Sequence, residues 1–406
     1  MKKWMIALVV LFLALVAAMG FSDGSLVKEI AKPAGTEEAS PAAPAGEEQS
    51  PGTAAPAEEN TGVDFEAIYA LHQPEDVVMT VEGREVCWQD YFYLYASQAQ
   101  DQEEQFRMYQ TYGLAAGWES PADAEGHSYA ELLGEAIRTN LCQIFTVELT
   151  AEENGVTLNE EEQSKIQSYH ESNIQYFCGD QGSEEELYAV LAEQKLRPEF
   201  YQRLLRVNVL AQACFRQIMG SEGELLSEQQ VLDWMEDNGV ISASHILFAT
   251  VDLENGNAPL DEAAAAEQAA LARQFADELR AIEDPEARQA RFQELMEEYG
   301  KDGGDLVFGA SGIDSGFYEG ASALEIGEIS EPVKSAYGYH IILRRPLRAD
   351  DRITGYSGEQ DPRPSAASAL FSQMMQEKMD SLKVEAVEGF EAPYILDYYT
   401  KPSYAS

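Results

Sequence analysis

A chain of 406 residues with 45% hydrophobic content has apolar material for about two or three domains with buried cores, which excludes a wholly disordered protein. Its formal net charge of -45, from 72 acidic against 27 basic residues, argues against nucleic acid or an anionic lipid surface as partner. The same charge favours solubility, and an acidic surface can attract basic, unfolded chains.

Lys2 and Lys3 precede an uncharged apolar run over 4–21, followed by Ser22 and Asp23, the pattern of an export signal. Ala18, Met19 and Gly20 make a usable cleavage site, yet the run is close to membrane-spanning length. The residues therefore allow a cut signal or a retained anchor over 1–22. Cys87 is the first cysteine, so no Cys follows the run to carry a lipid. A linker is expected over 23–62, because Pro, Ala, Glu, Gly and Ser dominate it and too few large apolar groups remain to offset ordering entropy. A spacer directly after an apolar run favours retention, with the membrane touched only through that N-terminal segment.

The stretch 77–81 (VVMTV) predicts a strand, 82–84 a turn, and Trp88 onward an aromatic-rich helix. The run Tyr91, Phe92, Tyr93 and Tyr95 suits either helix packing or a cradle for unfolded chains. Further on, Leu133, Ile137, Leu141, Ile144 and Phe145 recur at helical steps and predict one long helix over 129–149. Ser183 with Glu186 predicts a capping box, and Pro198 the first turn of another helix. Cys87, Cys142, Cys178 and Cys214 permit disulfides in an exported chain, but Cys142 and Cys214 lie in apolar helical patterns that favour buried thiols.

At Ile241 the pattern changes to a strand, with Ala243, His245 and Leu247 on one face and Ser244, Ile246 and Phe248 on the other. Helices are predicted over 261–281 and from Asp284 and Pro285 through Tyr299. A glycine turn at 303–304 leads to a strand over 305–308, then to a short helix bearing Phe317, Ala321 and Leu324. Strands over 329–333 and 339–343 are joined by a turn around Gly338. A last helix is expected over 365–382.

Three motifs in this order, SHILF at 244–248, GGDL at 303–306 and GEISEPVKSAYGYHII at 327–342, resemble the parvulin family of peptidyl-prolyl isomerases. The flanking helical stretches, with the opening VVMTVEGREV, resemble the chaperone regions of the exported PrsA and SurA-like foldases. The resemblance implies an α+β fold class: a parvulin-like antiparallel-sheet domain over 240–347, inserted in a mostly helical chaperone-like domain over 63–239 plus 364–406.

It further implies that His245 and His340 lie side by side beneath a bound proline, that Ser335 hydrogen-bonds to the histidines, and that Asp302 stands near the substrate amide. Leu306, Ile313 and Phe317 match the apolar residues lining the prolyl pocket, with Phe308 beside them as a further substrate-binding residue. The loop between Tyr299 and Gly303 is shorter than in many parvulins, and Gly300 replaces a usual Ser. Between Thr250 and Glu262 there is no Arg or Lys, so selectivity for phosphorylated Ser/Thr-Pro is not expected.

Rotating an X-Pro bond over its barrier of roughly 20 kcal/mol requires no nucleophile, cofactor or metal. The expected function is thus isomerisation of X-Pro bonds in unfolded or partly folded exported proteins, outside the cytoplasm. The alternative is a holdase with a weak or inactive parvulin domain.

Overall fold

The computed structural model describes residues 62–299, 304–311, 313–355 and 358–400. The expected signal or anchor over 1–22, nearly all of the linker over 23–62, and Asp302 lie outside the described residues. The chain forms two compact units, one of residues up to Ile218 together with those from Phe371 onward, the other Met219–Leu370. Among the described residues no helix is long and apolar enough to cross a membrane.

In the first unit Val77–Val81 and Arg84–Cys87 form a hairpin. Glu82 and Gly83 both take positive φ, 51° and 73°, as a two-residue turn of type I′ requires. Val384–Ala386 adds to the other edge of Val77–Val81. Helices follow at Trp88–Thr111, Tyr129–Glu153, Glu160–Cys178, Glu184–Glu193 and Pro198–Ile218, with capping boxes at Ser128, Asn159 and Ser183.

Tyr91, Phe92, Tyr93 and Tyr95 are all buried in this core, where Trp88 stacks on Tyr91 with ring centroids 5.9 Å apart. The aromatic run is thus packing material, and the cradle reading of it does not hold. Buried Asp90 takes both forks of Arg197 at 2.6 Å, which compensates a carboxylate removed from water. All four cysteines are free thiols, with Cys142 and Cys214 buried and the Cys214 thiol pushed up to about 12 by burial.

The second unit is built on a four-stranded antiparallel sheet. Its strands are β1 (Ile241–Ala249), β2 (Gly304–Phe308), β3 (Val333–Lys334) and β4 (Gly338–Arg345), in the spatial order β2-β1-β4-β3. One face carries Ile246, Phe248, Ile341 and Leu343 onto α1 (Glu262–Ala281) and α2 (Pro285–Tyr299). The other carries Ile241, Ala243 and Ile342 onto α3 (Ser315–Ser322). Side chains alternate along a pleated strand, so two central strands with near-continuous burial serve both layers.

The strand expected over 329–333 is reduced to a single bridge, Ile329 to Leu343, and the two residues of β3. Pro332 has no N–H to donate to a ladder. Ser330 replaces part of that ladder, its Oγ accepting the Ile342 N–H at 2.9 Å.

Gly338 opens β4 with φ +153°, and a Cβ there would lie 2.2 Å from the Phe248 carbonyl oxygen on β1. Both the backbone angle and the approach of main chain to main chain exclude a side chain. Gly338→Ala should therefore destabilise the second unit by about 2–4 kcal/mol, read as a lower midpoint in urea unfolding. An unchanged midpoint would show that the strands can separate there without penalty.

Candidate active site

The register of the two central strands sets the geometry of the site. His245 pairs with Ile342 and Leu247 with His340, so the two histidines are diagonal neighbours on one face. Both are buried, at 7% and 6% exposure. Their Nδ1 atoms are 3.3 Å apart, and His340 Nε2 lies 2.7 Å from Ser335 Oγ. Ser335 is held in turn by the Tyr337 N–H, which donates to its Oγ at 3.1 Å.

With both rings neutral, two proton orders satisfy this row. In one, the Ser335 hydroxyl donates to His340 Nε2 and His340 Nδ1–H donates to His245. In the other, His245 Nδ1–H donates to His340, whose Nε2–H donates to Ser335. Only a charge on both rings would set two Nδ1–H groups against each other. The His340 pKa is lowered to about 4, by burial first and by His245 second, with Asp314 acting in the opposite sense.

Phe317 crosses both imidazoles, with ring centroids 5.2 Å from His245 and 4.9 Å from His340 at interplanar angles of 80° and 78°. It reaches them because α3 lies directly on β3. A Cβ on Gly316 would be 3.1 Å from the Lys334 carbonyl oxygen, and one on Gly320 would be 2.5 Å from Val333 Cγ2. These glycines, four residues apart on one helix face, permit that approach. The start of the helix is fixed by Asp314, whose Oδ1 accepts the Phe317 N–H at 3.1 Å.

Leu306 and Ile313, both half-buried, pack on the same apolar cluster as Phe308 and Phe317. Phe308 is itself buried and its ring centroid is 5.4 Å from that of Phe317. On the opposite face of β1, Ser244 Oγ donates to Asp305 at 2.5 Å and Arg345 pairs with the same carboxylate, tying β2 and β4 together across β1.

The structure thus brings together His245, His340, Ser335, Phe317, Leu306, Ile313 and Phe308, while Asp302 is outside the described residues. The residue that sequence reasoning passed over is Asp314. Its signal was present, an acidic N-cap three positions before Phe317. Among the described residues Asp123, Glu125 and His127 place ligand-type atoms within 4.8 Å of one another. That group belongs to the first unit, and a 2.6 Å ion pair between His127 and Asp123 already accounts for its closeness.

Residues 245–345 match the rotamase family, described as the PPIC-type PPIase domain. The foldase protein PrsA 2 of Listeria monocytogenes serotype 4b is 32% identical over 226 residues, covering 53% of this chain and 63% of that protein. The chain thus spans less than two thirds of that relative. The foldase protein PrsA of Oceanobacillus iheyensis is 28% identical over 279 residues, covering 65% of this chain and 80% of that protein. The crystal structure of PrsA from Bacillus subtilis is 21% identical, covers 64% of this chain and 89% of that one, and superposes with a TM-score of 0.21, too low to carry an argument. Residues 245–345 are a parvulin-type peptidyl-prolyl isomerase domain, in a chain similar to the PrsA foldases.

Proposed function

We propose that the chain is a peptidyl-prolyl cis/trans isomerase that assists folding of exported proteins outside the cytoplasm. The observation that carries this reading is the pair of buried imidazoles, joined at 3.3 Å and crossed by Phe317, inside the segment that matches the PPIC-type domain. The foldase relatives support unfolded or partly folded polypeptides as clients, and the signal-like start of the sequence supports action after export.

The chemistry follows from the amide. A planar X-Pro bond is held by resonance that separates charge between nitrogen and oxygen, and the twisted form loses that separation. An uncharged, water-poor cup destabilises the planar form more than the twisted one, which is selective stabilisation of the transition state. Leu306, Ile313 and Phe317 supply the cup for the prolyl ring, backed by Phe308. His245 and His340 form its floor, and burial keeps His340 neutral there. Ser335 orients His340, and the parvulin resemblance implies a role for Asp302 at the substrate amide. Residues 240–347 do this work, while 63–239 with 364–406 serve as the helical chaperone-like part.

The test is isomer exchange on proline-containing peptides with the whole chain. Acceleration is expected, and Phe317→Ala and His245→Ala should each lower kcat/KM by about tenfold, or ~1.4 kcal/mol in transition-state binding. A folded wild-type chain that leaves the exchange rate unchanged would overturn the reading.

The neutral floor also makes stability depend on pH. His340 binds its proton near pH 6.5 when unfolded but only near pH 4 when folded, so the unfolded chain takes up more protons between those values. Stability from this group is complete above pH 6.5 and falls as the pH drops through the window, by on the order of 3 kcal/mol in all. Urea unfolding followed at sheet amides by NMR should show this slope, and His340→Asn should flatten it. Equal slopes in the two proteins would contradict the buried neutral assignment.

A further inference from the structure

We propose that Asp314 is a positioning residue for this reaction, because its carboxylate holds Phe317 across both imidazoles through the helix cap while its negative charge acts on His340. The inference rests on the isomerase reading of the site and adds to it a group that fixes the site's geometry while tempering the effect of burial on His340.

The geometric part is the cap. Phe317 makes ring contacts with both His245 and His340, and its own N–H is the donor to Asp314 Oδ1 at 3.1 Å. A main-chain bond at the residue that carries the ring fixes where that ring begins. On its other side the first turn of α3 abuts β3, since a Cβ on Gly316 would lie 3.1 Å from the Lys334 carbonyl oxygen and 3.2 Å from Asp314 Oδ1. The turn is therefore held between the cap and the strand next to His340. Val333 on that strand pairs directly with His340.

The electrostatic part concerns the groups around His340. His245 on β1 opposes its protonation, and Asp314 at the start of α3 favours it. Ser335 meets it with a hydroxyl, and Phe317 with a ring. Lys334 on β3 is exposed, and Arg344 lies further along β4. A single carboxylate thus partly offsets the desolvation of the buried imidazole while also placing the wall of the prolyl cup. Ser335, by contrast, meets His340 Nε2 and the Tyr337 N–H and takes no part in the cap of the Phe317 turn.

Asn and Ser cap helices about as well as Asp but carry no charge, and Ala does neither. The test is therefore Asp314→Asn, Asp314→Ser and Asp314→Ala in the full chain, with two readouts. In peptide isomer exchange at pH 7, Asp314→Ala should lower kcat/KM about fivefold per folded molecule, with Asn or Ser restoring most of it. In NMR titration, all three should move the His340 midpoint below that of the wild type, and only Ala should change the contacts between the Phe317 ring and the histidines. Wild-type His340 titration in all three, or unchanged Phe317 contacts in Asp314→Ala, would overturn the proposal. So would an Asn variant as impaired at pH 7 as the Ala variant. If Ala does not fold, Asn and Ser still decide the charge, and their Phe317 contacts must match the wild type. A wild-type chain with no isomerase activity would defeat the functional reading alone, because the NMR readout needs no substrate.

Discussion

The antiparallel pairing of β1 with β4 is the constraint from which the rest of the second unit follows. Eight residues of β1, from Ser242 to Ala249, are matched to β4, and the match puts His245 and His340 on one face as diagonal neighbours. The side-chain period of a strand is two, so a slip of one residue would turn one histidine into the layer under α1 and α2. The register is protected at its end by Gly338, where the two backbones come too close for any Cβ. It is protected along its length by burial on both faces, since Ile246, Phe248, Ile341 and Leu343 would otherwise be moved out of their core.

That arrangement also explains how two imidazoles can be buried side by side. Each would be costly alone, because an unsatisfied polar ring nitrogen away from water loses a hydrogen bond without compensation. Here the Tyr337 N–H, Ser335 Oγ and the facing nitrogens of the two rings form one continuous row. The row is satisfied with both rings neutral, and burial, which lowers the His340 pKa, disfavours a charge on that ring. Phe317 then lays apolar surface across both rings.

Much of this was legible in the sequence because it rests on local pattern. The alternation of Ala243, His245 and Leu247 foretold the strand and its faces, Ser183 with Glu186 foretold a capping box, and Pro198 foretold a helix start. The motif resemblance brought Ser335 and both histidines together across 95 residues of chain, which periodicity alone could not have done. Other features were out of reach for physical reasons. Tyr91, Phe92, Tyr93 and Tyr95 point to more than one side of a helix turn, so spacing alone could not separate a cradle from a core, and burial decided it. The helix Glu160–Cys178 has few buried apolar residues, His170 and Asn173 among its inward positions being polar, and its periodicity was correspondingly faint. Asp314 was hidden because a cap reads as a boundary signal, and only the position of Phe317 over the histidines makes that boundary matter.

The hardest feature to foresee is the short strand Val384–Ala386, which completes the sheet of Val77–Val81 from the far end of the chain. Glu82 and Lys383 exchange hydrogen bonds across a separation of 301 residues, and Gly62–Val63 pairs with Tyr399–Thr400. Stretches of two or three residues contain too little pattern to predict such matches. The entropy of closing a long loop rises only slowly with its length, by about 0.6 kcal/mol for each doubling. An insert that is compact by itself, as Met219–Leu370 is, lowers the cost further by shortening the flexible path between the ends. A discontinuous first unit is therefore not expensive to assemble, provided that the inserted unit has its own core. The apolar layers on both faces of the β1 and β4 strands supply that core, so the packing that buries the histidines also makes the insertion tolerable.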